Sequence, residues 1–318
     1  MTDISVQQKP ALADRLARLH GAVETVNSII LGKEDKVKLA FSCLLANGHL
    51  LIEDLPGVGK TTLAHALATV LGSRYQRIQF TSDLLPADIL GVSIYRRDQE
   101  KFEFHPGPIF AELVLADEVN RATPKSQSAL LEAMAEGQVT IESQTYILPK
   151  PFFVIATQNP LDLVGTFPLP DSQLDRFLLS ISLGFPDPAV ERELLVARDR
   201  ASVLLDTQAS LNPDDVLKLH KDSQEVHVSD ALLDYVQALL AETRNSRWFQ
   251  TGLSPRAGIA FLQCCRAFAF LEGRDFVIPD DVKTIFPALA RHRMTLPHGM
   301  ENSVDEQITG LLNQVAIP

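Results

Sequence analysis

The chain has 318 residues, of which 46% are hydrophobic and 22% are charged, an ordinary composition for a globular protein. Its 29 basic and 40 acidic residues leave a net charge of −11, which argues against non-specific electrostatic binding to nucleic acid or to an anionic membrane. No signal peptide is visible, and no apolar run approaches the ~18 residues that span a bilayer. We therefore expect a cytoplasmic protein without membrane insertion. Three cysteines without a C-x-x-C pair support neither a disulfide framework nor a zinc site.

Helices alternate with strands over the first half of the chain. Apolar residues at helical spacing open the sequence, and a second helical stretch runs from Lys33 to about Asn47, where Gly48 is expected to close it. Apolar runs predict strands at 49–53, 113–116 and 152–156, alternation of apolar and polar residues predicts one at 75–80, and a further strand is predicted at 178–183. Because continuous apolar runs suit parallel strands covered on both faces, this alternation predicts a doubly wound α/β domain with a parallel sheet.

Two segments, 92–104 and 139–148, are predicted to be hairpins inserted between the core elements. Insertions on a rigid scaffold often carry recognition, so both could project toward a partner. The composition changes near 185–188, and beyond it helical periodicities appear at 189–200, 229–245, 255–271 and 279–291. We therefore expect an α/β domain at residues 1–186 and a small all-helical domain at residues 187–318.

The segment after the first predicted strand has the sequence of a phosphate-binding loop: Pro56, Gly57, Val58, Gly59, Lys60, Thr61 and Thr62. The glycines let backbone N–H groups turn toward phosphate oxygens, and the helix beginning at Lys60 adds its positive dipole end. Lys60 would reach the β- and γ-phosphates and Thr61 would bind Mg²⁺, so the expected cofactors are ATP and Mg²⁺. The strict pattern has glycine at position 54, but Asp54 tolerates a left-handed backbone better than most residues.

Polar side chains end two of the other predicted strands. Asp117 and Glu118 follow the run at 113–116, at the carboxyl edge where open α/β sheets bind ligands. Asp117 would hold Mg²⁺ through water, and Glu118 would polarise the attacking water. Asn159 follows the run at 152–156 and could hydrogen-bond the γ-phosphate or the water. An acidic pair can also begin a solvated loop and Asn-Pro is an ordinary turn, so it is the order of these elements that favours the functional interpretation.

Two arginines complete the candidate set. Arg176 lies just before the last predicted strand. Arg256 falls in the first turn of a helix for which Ser254 is the N-cap and Pro255 the first helical residue. A cation is unfavourable at that end of the helix dipole, which hints at an anion nearby. Taken singly, each arginine could equally be a surface or ion-paired residue.

The order of these motifs resembles that of AAA+ ATPases and, more narrowly, of the MoxR family. The resemblance covers about residues 25–295 and is carried by the segments 53–61, 84–91, 106–110, 116–122, 156–160 and 168–170. It implies rings, usually hexamers, with ATP bound between subunits. It also implies that Asn159 is the sensor-one residue, Arg176 the arginine finger of the neighbouring subunit and Arg256 the sensor-two arginine of a helical lid.

The resemblance extends to other parts of the chain and to its activity. It implies that Ile29, Ile30 and Gly32 lie beside the adenine and that the two hairpins are the helix-two insert and the pre-sensor-one hairpin. Members of the family act as chaperone-like machines that mature or activate partner complexes, and their partners often carry von Willebrand factor A domains. We therefore expect an ATP-hydrolysing remodelling chaperone that has protein clients and does not bind nucleic acid.

Two alternatives remain open. One is a DNA-acting or transcription-related AAA+ motor, which the negative charge and the lack of a recognisable helix-turn-helix or basic run disfavour. The other is a nucleotide-binding scaffold without useful turnover. That possibility is disfavoured because Glu118, Asn159 and Arg176 are all present.

Overall fold

The computed structural model describes residues 4–160, 165–196, 203–204, 206–245, 248–297 and 303–317. The helices, in chain order, are α1 (Ile4–Ile29), α2 (Glu34–Leu45), α3 (Lys60–Val70), α4 (Pro86–Leu90), α5 (Pro124–Glu136), α6 (Asp171–Leu174), α7 (Pro188–Val196), α8 (Pro213–Gln224), α9 (Asp230–Asn245), α10 (Pro255–Leu271), α11 (Pro279–Ala290) and α12 (Val304–Gln314). The strands are β1 (Leu50–Glu53), β2 (Tyr75–Gln79), β3 (Gly91–Arg96), β4 (Lys101–Pro106), β5 (Leu113–Asp117), β6 (Gln138–Ile141), β7 (Gln144–Ile147), β8 (Phe153–Gln158) and β9 (Leu179–Ile181).

Five strands form one parallel sheet in the order β2-β5-β8-β1-β9. Alternate residues of β1, β5 and β8 enter different cores. Leu115 and Ile155 lie in the core that α1, α2, α3 and the C-terminal helices cover. Ala116 and Ala156 lie in the core on the other face, which α5 covers. Because both faces of β5 and β8 are buried, these two strands could be found as continuous apolar runs, and the predicted doubly wound α/β fold is confirmed.

The two predicted hairpins are present as β3–β4 and β6–β7, both antiparallel. The second hairpin turns at Glu142 and Ser143, which both have positive φ, as tight hairpin turns require. The hairpins contact each other through Phe104 and Tyr146, whose stacked ring centroids lie 4.0 Å apart. The two insertions therefore lie side by side on one part of the surface.

The C-terminal part is helical, as predicted, and it packs on α2 and β9 through α10 and α11. The predicted helix at 189–200 is present as α7 as far as Val196, and the remainder of that prediction lies outside the described residues. Among the described residues, five helices, α4, α5, α6, α8 and α12, were not predicted from periodicity. In the part of the chain that the structure describes, no helix is both long and apolar enough to cross a membrane.

The predicted role of Gly48 at the end of α2 is wrong. Asn47 is the residue that takes the left-handed conformation, with φ of 55°. Gly48 is needed for a close approach instead, because a Cβ at this position would lie 2.4 Å from Cβ of Leu178. The glycine thus allows the chain entering β1 to pass against the chain entering β9.

His49, immediately before β1, joins three elements of the α/β domain. Its Nδ1 accepts a hydrogen bond from the N–H of Val154 at 3.1 Å, and its Nε2 lies 3.3 Å from the carbonyl oxygen of Met134. Burial lowers the pKa of His49 to about 4, although the bond to Met134 opposes this shift. His49 is therefore neutral in the folded protein under conditions in which an unfolded chain would protonate it.

This histidine should make stability depend on pH. Its folded pKa lies below the unfolded value of 6.5, so its contribution is complete above pH 6.5 and is lost as the pH falls toward 4. We expect it to account for about 2 kcal/mol of lost stability between pH 7 and pH 5. Thermal unfolding at the two pH values should show a smaller loss for His49→Gln than for the unchanged protein.

Val154, whose N–H donates to His49, provides a matched control for this prediction. Val154→Ala removes buried apolar volume without removing a titrating group, so it should lower the melting temperature by the same amount at both pH values. An unchanged pH dependence in His49→Gln would contradict the assignment.

Candidate functional site

The phosphate-binding loop connects β1 to α3 and is shaped by two glycines. Gly57 and Gly59 have φ of 86° and 98°, the left-handed region that favours glycine. A Cβ added at either position would have no neighbour within 4 Å, so the space above the loop is open. The glycines are required for the path of the backbone, which leaves room for a ligand at the N-terminus of α3.

Lys60 begins α3 and is buried beside the loop. Its Nζ donates a hydrogen bond to the carbonyl oxygen of Asp54 at 2.7 Å. Burial lowers the pKa of Lys60, while the charges of Asp117, Asp54 and Glu118 oppose this shift. The ammonium group thus lies next to the acids that the sequence predicted to share its site.

The explanation offered for Asp54, a left-handed backbone, is wrong, because Asp54 does not have positive φ. Its carboxylate instead accepts hydrogen bonds from the N–H of Leu55 at 2.9 Å, the hydroxyl of Ser182 at 3.1 Å and the N–H of Gly184 at 2.7 Å. A glycine could make none of these contacts. Asp54 therefore ties the start of the phosphate loop to the segment that leads from β9 toward the C-terminal helices.

Asp117 is the last residue of β5, and its two carboxylate oxygens have different partners. Oδ1 accepts a hydrogen bond from the hydroxyl of Thr157 at 2.6 Å. Oδ2 accepts from the guanidinium group of Arg77 at 2.6 Å. The buried side of this carboxylate is therefore held by β8, and its accessible side by an arginine of β2.

Glu118 follows Asp117 in the left-handed conformation, with φ of 58°, which is uncommon for a residue other than glycine. Its N–H donates to Oγ1 of Thr157 at 2.9 Å. Its Oε2 accepts hydrogen bonds from Gln79 at 2.8 Å and from Arg121 at 2.9 Å. This turn directs the side chain of Glu118 toward the same cleft as Lys60.

Arg77 and Gln79 were missed from the sequence. They alternate on β2, so both face the same side of the sheet, and β2 pairs directly with β5, which carries the acids. The available signal was the pair of polar residues at positions i and i+2 of a predicted strand. This pattern indicates a role in the site only when the neighbouring strand is known to be the one that carries the acids.

One cleft, called here the phosphate cleft, collects most of these groups. Its lining is Pro56, Gly57, Gly59, Lys60, Thr61, Thr62, Arg77, Gln79, Asp117 and Glu118. Val58 of the loop is half-buried and packs on the core that α1, α2 and α3 cover. The hydroxyl of Thr61 and the carboxylate of Asp117 are hard oxygen ligands that suit Mg²⁺, and the loop and Lys60 suit phosphate oxygens.

The remaining predicted binding residues are not part of the lining of this cleft. Asn159 follows β8 and is buried, and its carbonyl oxygen lies 3.4 Å from Nδ2 of Asn120. Ile29 and Ile30 are buried in the larger core at the end of α1. Gly32 has φ of 65°, and a Cβ there would lie 3.0 Å from Val190 of α7.

Arg176 and Arg256 lie together in a second cleft, called here the arginine cleft. His49, Met134 and Arg293 are among its other lining residues, and it shares no lining residue with the phosphate cleft among the described residues. Arg176 donates to the carbonyl oxygen of Leu131. Arg256 is exposed in the first turn of α10. The structure therefore brings the two arginines together, in a cleft other than the one that contains Lys60.

Ser254 caps α10 as predicted, because its hydroxyl oxygen accepts a hydrogen bond from the N–H of Ala257 at 3.1 Å. Proline occupies the first position of the helix, as the sequence also indicated. The capped first turn of α10 therefore fixes the position of the Arg256 backbone. Its exposed side chain lines the arginine cleft.

Arg293, just after α11, was also missed from the sequence. It donates hydrogen bonds to the carboxylate of Asp175 at 2.7 Å and to the carbonyl oxygens of Phe177 at 2.6 Å and Leu178 at 3.0 Å. Burial lowers its pKa, and Asp175 opposes the shift. Since these partners flank Arg176 in sequence, the segment that carries Arg176 is fastened to the C-terminal helices.

Comparisons with known proteins agree with this geometry. Residues 49–179 match the ATPase family associated with various cellular activities (AAA), and residues 241–310 match the AAA lid domain. The protein named chaperone MoxR1 of Mycobacterium tuberculosis is 40% identical over 96% of this chain and 84% of its own length. This chain belongs to the MoxR family of AAA+ ATPases.

Two further proteins are similar to this MoxR-family ATPase over most of its length. The Bacillus subtilis protein YeaC, whose name states that it is uncharacterized, is 45% identical over 86% of each chain. A crystal structure of a protein from Cytophaga hutchinsonii, described as a candidate ATPase, has a TM-score of 0.89 and 32% identity and covers 99% of this chain and 100% of its own. Membership of the AAA+ family implies nucleotide binding.

Proposed function

We propose that this MoxR-type ATPase hydrolyses ATP in the presence of Mg²⁺, at sites between the subunits of a six-membered ring. The observation that carries the proposal is the separation of the two clefts. Lys60, Asp117 and Glu118 face one cleft, while Arg176 and Arg256 face another. A second copy of the chain, placed with its arginine cleft against the phosphate cleft, would complete the site.

Each group in the phosphate cleft has a role that follows from its chemistry. The loop N–H groups, Lys60 and Thr62 would bind the nucleotide phosphates, while Thr61 and Asp117 would bind Mg²⁺. Bound Mg²⁺ would neutralise the charge that develops on the phosphate oxygens. Glu118 would orient and polarise the attacking water, and Asn159 would hydrogen-bond the γ-phosphate or that water.

The other contacts with ATP would be made to its adenine base and by the neighbouring subunit. Ile29, Ile30 and Gly32 would lie beside the adenine, where the end of α1 and the turn after it approach α7. Arg176 and Arg256 of the next subunit would reach the γ-phosphate. An arginine supplied in this way is worth about 10³- to 10⁵-fold in phosphoryl transfer, so hydrolysis would depend on assembly.

We further propose that hydrolysis drives the remodelling of partner proteins, plausible partners being those with von Willebrand factor A domains. The relative named chaperone MoxR1 supports the chaperone role. The division into a nucleotide-binding domain at 1–186 and a lid at 187–318 stays a prediction. Within it, contacts such as those of Asp54 and Arg293 would transmit the state of the site to the lid.

The proposal is tested by measuring ATP turnover per chain against protein concentration, with light scattering to follow assembly. Turnover should rise as rings form and should stop when Mg²⁺ is chelated. Turnover that is the same for monomers and rings would contradict a site shared between subunits. Absence of turnover would favour the scaffold, and saturable DNA binding at low salt that stimulates turnover would favour the DNA-acting motor.

A further inference from the structure

Thr157 of β8 contacts both acids of the phosphate cleft through one hydroxyl group. The hydroxyl donates to Oδ1 of Asp117 at 2.6 Å and accepts from the N–H of Glu118 at 2.9 Å. Thr157 is fully buried, and β8 lies beside β5 in the sheet. A single atom thus connects β5, which leads to the two acids, with β8, which Asn159 follows.

The two hydrogen bonds fix different properties of the acids. The bond to Oδ1 sets the rotation of the Asp117 carboxylate, so that Oδ2 is the oxygen directed to the cleft. The bond from the N–H of Glu118 supports a left-handed backbone that a glutamate rarely adopts, and this backbone sets the direction of its side chain. Both orientations therefore depend on the same hydroxyl.

The other partners of the acids are of a different kind. Arg77 and Arg121, which contact Asp117 and Glu118, have side chains that are 48% and 51% exposed. Exposed ion pairs are weak and exchange readily, so an arriving ligand can displace them. Thr157 lies beneath the acids and cannot be reached from the cleft. Its bonds are the ones that can persist while nucleotide is bound.

We propose that Thr157 is a positioning residue for ATP hydrolysis, which holds Asp117 and Glu118 in their working orientations through its hydroxyl group. This inference rests on the proposed function, because it assigns Asp117 to the metal and Glu118 to the water. Thr157 does not touch the substrate. It acts through the two acids, as outer partners do when they orient the ligands of a metal.

Two substitutions at this position separate the hydroxyl from the shape of the side chain. Thr157→Val keeps the branched shape and deletes the hydroxyl, whereas Thr157→Ser keeps the hydroxyl. Thr243→Val is the matched control in α9. Thr243 is also buried, and its hydroxyl donates to the carbonyl oxygen of Leu240 at 2.7 Å and accepts from the N–H of Leu253 at 3.1 Å, away from the cleft.

We expect kcat of Thr157→Val to fall by about 10- to 100-fold, as is usual when an orienting partner of a metal ligand is removed. Its affinity for fluorescently labelled ADP in EDTA should stay close to that of the unchanged protein, because the loop and Lys60 are intact. The gain in ADP affinity on adding Mg²⁺ should shrink by about 10-fold. Thr157→Ser should restore both kcat and the Mg²⁺ effect, and Thr243→Val should leave both unchanged.

The inference would be overturned if Thr157→Val kept the kcat and the Mg²⁺ effect of the unchanged protein. It would also be overturned if Thr157→Ser were as impaired as Thr157→Val. A third contradiction would be a loss of kcat in Thr243→Val as large as that in Thr157→Val, when the two variants have equal melting temperatures. The failure of the proposed function is distinguishable from these. In that case the unchanged protein itself would not hydrolyse ATP.

Discussion

Glu118→Gln is expected to bind ATP, to keep its assembly and to hydrolyse ATP at least about 100-fold more slowly than the unchanged protein. The substitution removes the carboxylate that would polarise the attacking water and changes the side chain by one atom. The local geometry should survive, because the amide oxygen can still accept from Gln79 and Arg121, as the carboxylate does. The loss should therefore appear in kcat and spare nucleotide binding.

The measurement is steady-state phosphate release, together with binding of a fluorescent ATP analogue. Glu112→Gln is a matched control, because Glu112 lies at the opposite end of the same strand, where it pairs with Arg74 outside the cleft. That variant should hydrolyse ATP normally. If turnover survives in Glu118→Gln, the assignment of the water-polarising group is wrong.

The parts of this fold that are encoded locally were predictable from the sequence. Strands β1, β5 and β8 are short apolar runs that end in polar residues, and each of the five predicted strand segments overlaps one strand of the sheet. The phosphate loop was equally accessible, because its glycines, Lys60 and the following helix are adjacent in sequence. These features depend on neighbours within a few residues, and their patterns survive without tertiary information.

The features that could not be predicted from the sequence depend on contacts between residues far apart in the chain. Helix α8 has a polar composition, and its place is set by contacts with α1, such as the 2.6 Å ion pair of Arg18 with Asp215. Arg77 can contact Asp117 only because β2 pairs with β5. Thr157 can contact both acids only because β8 pairs with the other edge of β5. Strand order is a property of the whole sheet, which periodicity along one strand cannot supply.

The two arginines show the same limit most clearly. From the sequence, Arg176 and Arg256 are separate residues in separate elements, and only a resemblance connected them to one nucleotide. The structure adds that they share a cleft and that Arg293 fastens the segment of Arg176 to the helices that carry Arg256. This arrangement suggests that the pair would act together on a neighbouring subunit, which gives a sharper test than either residue offers alone.

Arg176→Ala is expected to bind nucleotide but to hydrolyse it about 10³-fold or more slowly, since an arginine finger is worth that much in phosphoryl transfer. Lys60→Ala should fail at the phosphate cleft instead. Mixed in equal amounts, the two variants should regain activity, because about a quarter of the interfaces in a cyclic ring would pair an intact phosphate cleft with an intact Arg176. Phosphate release across a series of mixing ratios measures this recovery.

The same mixing experiment decides how Arg256 acts. If Arg256 serves the neighbour together with Arg176, Arg256→Ala should also be rescued by Lys60→Ala subunits. If Arg256 instead closes over the phosphate cleft of its own chain, that chain lacks the arginine in every ring, and mixing rescues Arg176→Ala alone. Failure of both variants to recover at any ratio, in rings shown to contain both kinds of subunit, would contradict a site shared between subunits.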